Sequence, residues 1–436
     1  MSINCLIINL LILLILLCKS ESNSGFLKQH SLFKAFPKNE KDLELLTKLE
    51  TKYGQNVDFW SRPNRLLSPV LFAVSPNSRQ SVVNYLTHAK INNSLLTNDL
   101  KIWADKEMEY LTRNVDTFAS EDDVANFEIY HPYEKVLEIF ESWKVKYPEN
   151  VMTIVIGQTY EKRAINALIL TGNDSLRLRN WTQSNNDERK RIVFFECGIH
   201  GREWVSPASC IYIANMLLAN RKQEASLLNK YDFHFVPVTN VDGYVYTWNY
   251  DRSWRRNRNP GSLPFAACNG VDANRNFDSH HCQFGASPIP CVDIYCGRAP
   301  FSENEARAIR DYVYLITKNQ KIKAYFSIHS FSQLWMFPYG YTVYPSPKYS
   351  LYTQLSQIAT DAIRNTHGET YKFGQISRVL YVASGTSIDW IEEKNLAEVA
   401  FVIELRDKGN YGFMLPAQFI KPTAEEIWNG IKTVIT

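Results

Sequence analysis

The chain has 436 residues, of which 45% are hydrophobic and 13% aromatic, and its net charge at pH 7 is +3. This length predicts two to three domains, and the apolar content suffices for a substantial core. A net charge so close to zero, without a basic run of helical length, argues against nucleic acid as a partner.

The first part of the chain, residues 1–20, is typical of a secretory signal peptide. Residues 6–18 are apolar apart from Asn9, and no second run of this kind follows. The run is too short to span a bilayer comfortably, and Cys18 and Ser20 supply the small residues that precede a cleavage site. No Lys or Arg precedes the run, so a signal anchor stays as the alternative. We expect a secreted, extracellular protein without a stable membrane anchor.

Six of the eight cysteines lie beyond this segment. An even number of cysteines in a secreted chain predicts disulfides, although the sequence alone does not choose the pairing. A zinc–thiolate site is the weaker alternative, because the chain contains no CxxC pair. Sequons for N-glycosylation at Asn92, Asn173 and Asn180 are consistent with a secreted surface. The six cysteines are Cys197, Cys210, Cys268, Cys282, Cys291 and Cys296.

Residues 21–113 alternate short strand and helix patterns, which predicts a small α+β sandwich. Strands are expected at 32–36, 70–74 and 100–103. Helices are expected from an Asn39 N-cap to Tyr53 with Gly54 as the stop, at 77–90 and at 105–113. No catalytic constellation lies here, so this region is interpreted as a folding or covering domain. Arg113 ends it beside a polar, acidic stretch where a protease could cut, although an ordinary exposed arginine explains the pattern equally well.

From about residue 127 the chain has the rhythm of an α/β domain. A helix is predicted at 133–146. In open α/β sheets, functional groups gather at the carboxyl ends of strands. His200, His329 and Glu404 each stand at such an end, which scattered core residues would not be expected to give. The strand-like runs are 152–156, 165–170, 192–195, 233–237, 324–327 and 399–403.

His200 and Glu203 lie in a glycine-flanked turn after the strand at 192–195. Imidazole and carboxylate groups are ordinary zinc ligands, but a catalytic zinc needs a third protein ligand and an open position. An HxxE spacing alone is weak, since the sequence at 131–134 has it too and is given no role. A helix is predicted after the turn, with Ser206 as N-cap and Pro207 at the first helical position.

Each further candidate stretch also has an ordinary structural interpretation. The arginine-rich run at 251–258 could be a solvated face, and residues 270–277 could form a loop with local Asn and Asp turns. His329 alone could be a core histidine. Glu404 follows four apolar residues, and a carboxylate at the end of a buried strand is costly unless it is paired or functional.

Taken together, these stretches resemble the zinc metallocarboxypeptidases of the pancreatic carboxypeptidase A/B family. The resemblance runs from a pro-domain at 21–113, through its segments 33–46 and 57–60, to the end of a peptidase domain at 114–436. It implies an α/β peptidase domain with a mixed twisted sheet and helices on both faces. It also implies a zymogen whose pro-domain inhibits the enzyme and is removed by a trypsin-like protease cutting after Arg113.

The resemblance implies one zinc ion per chain, held by His200, Glu203 and His329. Glu404 matches the general base, which takes a proton from water and passes it to the leaving amine. Arg255 matches the group that polarises the scissile carbonyl and holds the oxyanion. A zinc ion lowers the pKa of its bound water to about 7, so hydroxide becomes available at neutral pH.

Further residues match groups that contact the substrate or support a ligand. An exopeptidase must recognise the terminal carboxylate of a peptide, and an arginine fork does this in bidentate fashion. Asn274, Arg275 and Tyr381 match the grip on that carboxylate. The neighbouring subsites are matched by Arg202 and Phe413, and Asp272 matches a partner that orients His200.

The resemblance places Ile388 at the floor of the pocket for the terminal side chain, with Ala383, Thr386 and Val402 in the same region. An aliphatic floor predicts preference for apolar or aromatic terminal residues, whereas an acidic residue there would suit Lys or Arg. Phe331 departs from the family, since tyrosine is common at this position. A basic-residue enzyme and a non-catalytic zinc-binding relative remain the alternatives, and a serine hydrolase is disfavoured because no G-x-S-x-G occurs.

The resemblance also implies how the cysteines pair and which partners the protein has. The implied disulfides are Cys197–Cys210, Cys268–Cys291 and Cys282–Cys296. Peptide and protein C-termini are the expected substrates, and the protein is expected to be a monomer.

Overall fold

The computed structural model describes residues 29–114, 125–172, 190–260 and 268–436. The predicted signal peptide and the sequons at Asn173 and Asn180 lie outside these residues. The described residues form two compact units, one from those within 1–120 and 245–254 and the other from those within 121–244 and 255–436. No helix of the described residues is long and apolar enough to cross a membrane.

The first unit contains a four-stranded antiparallel sheet in the order β2-β3-β1-β4. Its core joins aromatic and aliphatic side chains of the sheet and helices. The ring of Phe72 stacks on Phe33 with the centroids 5.8 Å apart, and Phe59 meets it at a tilt at the same distance. The strands are β1 Ser31–Phe36, β2 Val57–Ser61, β3 Val70–Val74 and β4 Asn92–Thr97. The helices are Glu40–Tyr53, Arg79–His88 and Lys101–Asn114.

The first helix of this unit begins and ends at the predicted residues. The side chain of Asn39 accepts a hydrogen bond from the Asp42 amide at 3.0 Å, and Gly54 ends the helix with a φ of 54°. The strand predicted at 100–103 is wrong, because these residues lie at the start of the helix Lys101–Asn114. A short apolar run fits a buried strand or one helical face equally well, and here the face is helical.

The second unit is built on an eight-stranded mixed sheet in the order β11-β10-β12-β9-β7-β8-β6-β5. The pairs β7–β8, β7–β9, β9–β12 and β10–β11 are parallel, and the others are antiparallel. The strands are β5 Val151–Gln158, β6 Ala164–Leu170, β7 Arg191–Cys197, β8 Tyr231–Val236, β9 Ile322–His329, β10 Leu334–Phe337, β11 Lys372–Gln375 and β12 Ala397–Glu404.

Helices cover both faces of this sheet, as predicted. In the central strand β7, Phe194 stacks on Tyr325 at 5.1 Å, and Phe195 stacks on Phe235 at 4.5 Å. Successive residues of a strand point to opposite faces, so both faces are buried. The helices are Tyr133–Lys146, Val205–Ala219, Ala225–Lys230, Val241–Asn249, Asn304–Ile316, Tyr349–His367, Ile376–Val379, Ser387–Glu393 and Ile420–Ile435. The helix Val241–Asn249 is divided between the two units after Tyr244.

The parallel register brings three candidate residues to one edge of the sheet. Glu404 at the end of β12 pairs with His329 at the end of β9. Ile328 of β9 in turn pairs with Cys197, the last residue of β7. The turn that carries His200 therefore starts beside the other two strand ends.

Candidate active site

The turn after β7 is shaped by one glycine and one serine. Gly198 has a φ of 60°, and a Cβ atom there would meet the Pro237 carbonyl oxygen at 2.8 Å, so a side chain does not fit. The Ser206 hydroxyl accepts a hydrogen bond from the Gly198 amide at 3.0 Å and donates one to the Ile328 carbonyl at 2.5 Å. Ser206 thus fastens the turn to β9.

Ser206 does not serve as the predicted N-cap. The helix Val205–Ala219 has Trp204 at its N-cap position, without a side-chain capping bond. The Ser206 hydroxyl is instead engaged with Gly198 and Ile328. The prediction for Pro207 is also wrong, because Pro207 is the third residue of the helix and not the first.

Three buried side chains converge at this edge. His200 Nδ1 lies 2.7 Å from Glu203 Oε1, and His329 Nδ1 lies 3.1 Å from Glu203 Oε2. The two Nδ1 atoms are 3.2 Å apart. This is the only group of three metal-binding side chains among the residues that the structure describes.

The donor atoms suit a zinc ion. Ligand atoms at about 2.0–2.1 Å from a tetrahedral zinc lie about 3.3 Å from one another, close to the spacing of the two Nδ1 atoms. The opposite ring nitrogens are occupied, since His200 Nε2 lies 3.2 Å from Asp272 Oδ1 and His329 Nε2 lies 3.0 Å from Ser327 Oγ. With their protons on Nε2, both rings present a lone pair at Nδ1.

The charged neighbours of two buried carboxyl groups keep these groups ionised. Burial by itself raises the pKa of Glu203, but the imidazoles of His200 and His329 more than offset it and hold that pKa far below its usual range. Burial likewise opposes ionisation of Asp272, and Arg255 and Arg275 outweigh it, so the pKa of Asp272 lies well below its ordinary value. Both carboxyl groups are therefore acceptors at neutral pH.

Glu404 lies at the end of β12, where it pairs with His329. Its Oε2 atom is buried and has no hydrogen-bond partner among the described residues. Burial raises the pKa of Glu404 to about 8, His329 opposes the shift, and the Glu203 carboxylate adds to it. A carboxyl group with a shifted pKa beside metal ligands is suited to moving a proton.

Arg255 lies against the same ligands. Its guanidinium donates to Asp272 Oδ2 from Nη2 at 2.8 Å and from Nε at 3.2 Å. Its Nη1 atom is 3.7 Å from Glu203 Oε1. Asp272 therefore contacts His200 with one oxygen and Arg255 with the other.

Three residues that are expected to bind the substrate carboxylate lie near His329: Asn274, Arg275 and Tyr381. Asn274 Nδ2 lies 3.3 Å from His329 Nε2, and Asn274 Oδ1 accepts from the Ser387 amide at 3.0 Å. The Arg275 guanidinium lies 5.9 Å from the centroid of the Tyr381 ring. Arg275 also donates to the Asn274 carbonyl at 2.7 Å, so these groups are held close to His329.

Arg202 and Phe413 are together, with the Arg202 guanidinium 4.2 Å from the ring centroid of Phe413. Phe331 meets the same ring edge-on at 5.1 Å. Both phenylalanines are buried. Because Phe331 packs on Phe413, an apolar ring is accommodated where tyrosine was expected.

Ile388 lies in the first turn of the helix Ser387–Glu393 and is 1% exposed. The adjacent Asp389 accepts hydrogen bonds from the Gly340 amide at 2.9 Å and the Tyr341 amide at 3.1 Å. Burial raises the pKa of Asp389 to about 7. The side chain of Asp389, next to Ile388 in the sequence, is therefore already hydrogen-bonded to backbone amides.

The six cysteines form the implied pairs. Cys197 is bonded to Cys210, Cys268 to Cys291, and Cys282 to Cys296. The first pair joins the end of β7 to the helix Val205–Ala219. The His131 of the second HxxE spacing lies elsewhere, with its Nε2 at 2.6 Å from the Asn126 carbonyl, which shows that the spacing alone does not make a site.

Comparison with known proteins agrees with this geometry. Residues 136–430 match the family described as zinc carboxypeptidase, and residues 33–107 match the carboxypeptidase activation peptide. The chain belongs to the zinc carboxypeptidases. It is therefore a zinc-dependent exopeptidase that uses one zinc ion and has an activation peptide, as a zymogen does.

The similarity to relatives extends over nearly the whole chain. Mouse carboxypeptidase A2 is 35% identical over 408 residues, which cover 93% of this chain and 92% of the relative. Mouse carboxypeptidase A1 is 35% identical over 431 residues, with 98% and 97% covered. The crystal structure of carboxypeptidase A from Helicoverpa armigera has a TM-score of 0.81 at 27% identity, covering 94% of this chain and 97% of that one.

Two residues of this carboxypeptidase were not predicted from the sequence: Ser327, which contacts His329, and Glu196, which contacts Ser327. Ser327 lies two positions before His329 on β9, and Glu196 precedes Cys197 on β7. Both are fully buried. A polar residue inside an otherwise apolar strand was the available signal.

Proposed function

We propose that this carboxypeptidase is a secreted zymogen that removes apolar or aromatic residues from peptide C-termini. The observation that carries the proposal is the convergence of buried His200, Glu203 and His329 beside Glu404, whose Oε2 atom has no hydrogen-bond partner among the described residues. His200 and His329 would hold zinc through Nδ1, and Glu203 through its carboxylate. When bound, the ion supplies Lewis acidity at the scissile carbonyl.

Glu404 is the proposed general base. Its Oε2 atom accepts a proton from the attacking water and then returns it to the leaving amine. A cation at the neighbouring ligands favours the ionised carboxylate, which opposes the effect of burial on the pKa of Glu404. Arg255 is proposed to donate to the oxygen that gains negative charge, and Asp272 keeps its guanidinium beside the ligands.

The terminal carboxylate of the substrate is proposed to bind Asn274, Arg275 and Tyr381. Arginine offers a planar pair of donors that matches a carboxylate, and the amide and phenol groups add single hydrogen bonds. Arg202 and Phe413 would line the subsites for preceding residues. Only a chain end carries this carboxylate, so the grip restricts cleavage to the last peptide bond.

Specificity is proposed to follow from Ile388. This buried aliphatic side chain offers contact to an apolar residue and no charge to a basic one. The nearest acid along the chain, Asp389, is engaged by the amides of Gly340 and Tyr341.

Activation is proposed to require cleavage after Arg113 by a trypsin-like protease. The Arg113 side chain is 74% exposed near the end of the helix Lys101–Asn114, where it pairs with Glu109. The boundaries 21–113 for the inhibitory pro-domain and 114–436 for the peptidase domain belong to this proposal, as does a monomeric state.

Hydrolysis of matched peptides tests the proposed function. Trypsin-treated protein is incubated with two peptides that differ only in a terminal Phe or Arg. We expect faster release of Phe and loss of both activities with a zinc chelator. Faster release of Arg would contradict the apolar pocket, and cleavage of internal bonds alone would contradict the carboxylate grip.

A further inference from the structure

Glu196 is a fully buried residue near the carboxyl end of the central strand β7. Its Oε2 atom accepts hydrogen bonds from the hydroxyl of Ser327 at 2.9 Å and from the hydroxyl of Ser387 at 2.6 Å. No Lys or Arg forms an ion pair with it in the described part of the chain. Both hydroxyl donors contact Oε2, while Oε1 is buried and has no hydrogen-bond partner among the described residues. A buried carboxyl group is costly unless polar neighbours support it, so the two hydroxyl groups matter for its place in the fold.

Ser327 stands between Glu196 and His329. Residues two apart on a strand share one face, and Ser327 Oγ lies 3.0 Å from His329 Nε2. A hydroxyl has one proton to donate, and the Ser327 hydroxyl donates to Glu196 Oε2 at 2.9 Å. The Ser327 proton therefore points to Glu196, which leaves a lone pair of Ser327 Oγ directed at His329.

This arrangement offers an acceptor for a proton on His329 Nε2. Asn274 Nδ2, at 3.3 Å, is the other neighbour of His329 Nε2. Asn274 Oδ1 already accepts from the Ser387 amide, so the amide presents its NH2 group to His329 and cannot accept there. Ser327 Oγ is therefore the acceptor beside His329 Nε2. With Nδ1 as the proposed zinc ligand, Nε2 carries the proton and donates it to Ser327 Oγ.

We propose that Glu196 is a positioning residue that acts through Ser327 to hold His329 in the tautomer and orientation that bind zinc. This inference rests on the proposed assignment of His329 as a ligand. The two histidines are then supported in different ways, because Asp272 contacts His200 directly at 3.2 Å, whereas Glu196 reaches His329 through one hydroxyl.

A second branch of the same carboxylate provides a matched control. Ser387 begins the helix that carries Ile388, and its hydroxyl contacts the same Oε2 atom as Ser327 does. Loss of the Ser387 hydroxyl leaves the hydrogen bonds from Glu196 through Ser327 to His329 in place. The variant Ser387→Ala therefore shows how much zinc affinity is lost when a hydrogen bond to Glu196 is removed without any change at Ser327 or His329.

The test measures zinc affinity of the full-length chain by competition with a chelator, together with the thermal unfolding midpoint of the zinc-free protein. We expect Ser327→Ala and Glu196→Gln each to weaken zinc binding by about 10–100-fold. The double variant should have the same zinc affinity as whichever single variant binds zinc less tightly. Both changes break the same chain of hydrogen bonds from Glu196 through Ser327 to His329. Ser327→Thr should restore affinity, and Ser387→Ala should retain it.

Two results would overturn the inference. Unchanged zinc affinity in Ser327→Ala, with only a lower unfolding midpoint, would reduce Glu196 to a stabilising core residue. Equal weakening in Ser387→Ala would show that no specific path to His329 exists. His329→Ala is measured in parallel, and if it binds zinc as tightly as the unchanged protein, the ligand assignment itself fails and the inference with it.

Discussion

A buried histidine in the sheet makes the stability of this protein depend on pH. His234 lies in β8 between Ile169 and Phe194, and its Nδ1 is 2.6 Å from the Tyr312 hydroxyl. Burial lowers the pKa of His234 from 6.5 to about 3. The folded protein therefore keeps this ring neutral at pH values where the unfolded chain protonates it.

The size of the effect follows from these two pKa values. Below pH 6.5 the unfolded chain binds a proton at His234 that the folded protein does not bind. The free energy of unfolding is therefore unaffected by the titration of His234 above that pH and decreases as the pH falls towards 3. Between pH 8 and pH 5 the difference amounts to about 2 kcal/mol in the free energy of unfolding. The variant His234→Asn lacks the titrating ring and should lose about 2 kcal/mol less over the same interval.

Urea denaturation of both proteins at pH 8 and pH 5, followed by tryptophan fluorescence, measures this difference. Titrating groups shared by the two proteins cancel in the comparison, including His131, whose pKa burial lowers to about 4. The exposed His88 supplies the control His88→Asn, which should follow the unchanged protein. Equal pH dependence in His234→Asn and in the unchanged protein would refute the reasoning.

Three further changes address the site and its activation. Glu404→Gln should lower kcat by about 10²–10⁴-fold with zinc still bound, and retention of most activity would mean that another group is the base. Ile388→Asp should shift the preference from Phe-terminated to Arg-terminated peptides. If kcat/KM for the Phe peptide relative to the Arg peptide did not change, Ile388 would not line the pocket for the terminal side chain. Arg113→Gln should stop activation by trypsin, measured as peptide hydrolysis, together with the cleavage that makes Asn114 the new N-terminus, detected by mass spectrometry. Full activity of the trypsin-treated variant would place the cut elsewhere.

Much of the fold was predictable because its central strands are long apolar runs. The runs at 192–195 and 324–327 were each found inside the longer strands Arg191–Cys197 and Ile322–His329. The strands Leu334–Phe337 and Lys372–Gln375 were not predicted, since runs of this length carry no clear period. Their places depend on pairing with β12 and with each other, which local sequence does not encode.

The candidate site was predictable mainly through the family resemblance. Sequence spacing alone treated His131 and His200 alike, and only the fold brings His329 within 3.2 Å of His200. The support of His329 by Glu196 and Ser327 could not be predicted, because it joins residues 131 positions apart on neighbouring strands. The register between β7 and β9 sets this contact.

A crystal structure of the zinc-loaded protein, with anomalous data collected on both sides of the zinc absorption edge, tests the metal site most directly. We expect one anomalous peak about 2.0–2.2 Å from His200 Nδ1, His329 Nδ1 and a Glu203 carboxylate oxygen. A peak bound by other side chains, or none at these three, would contradict the assignment on which the proposed catalysis depends.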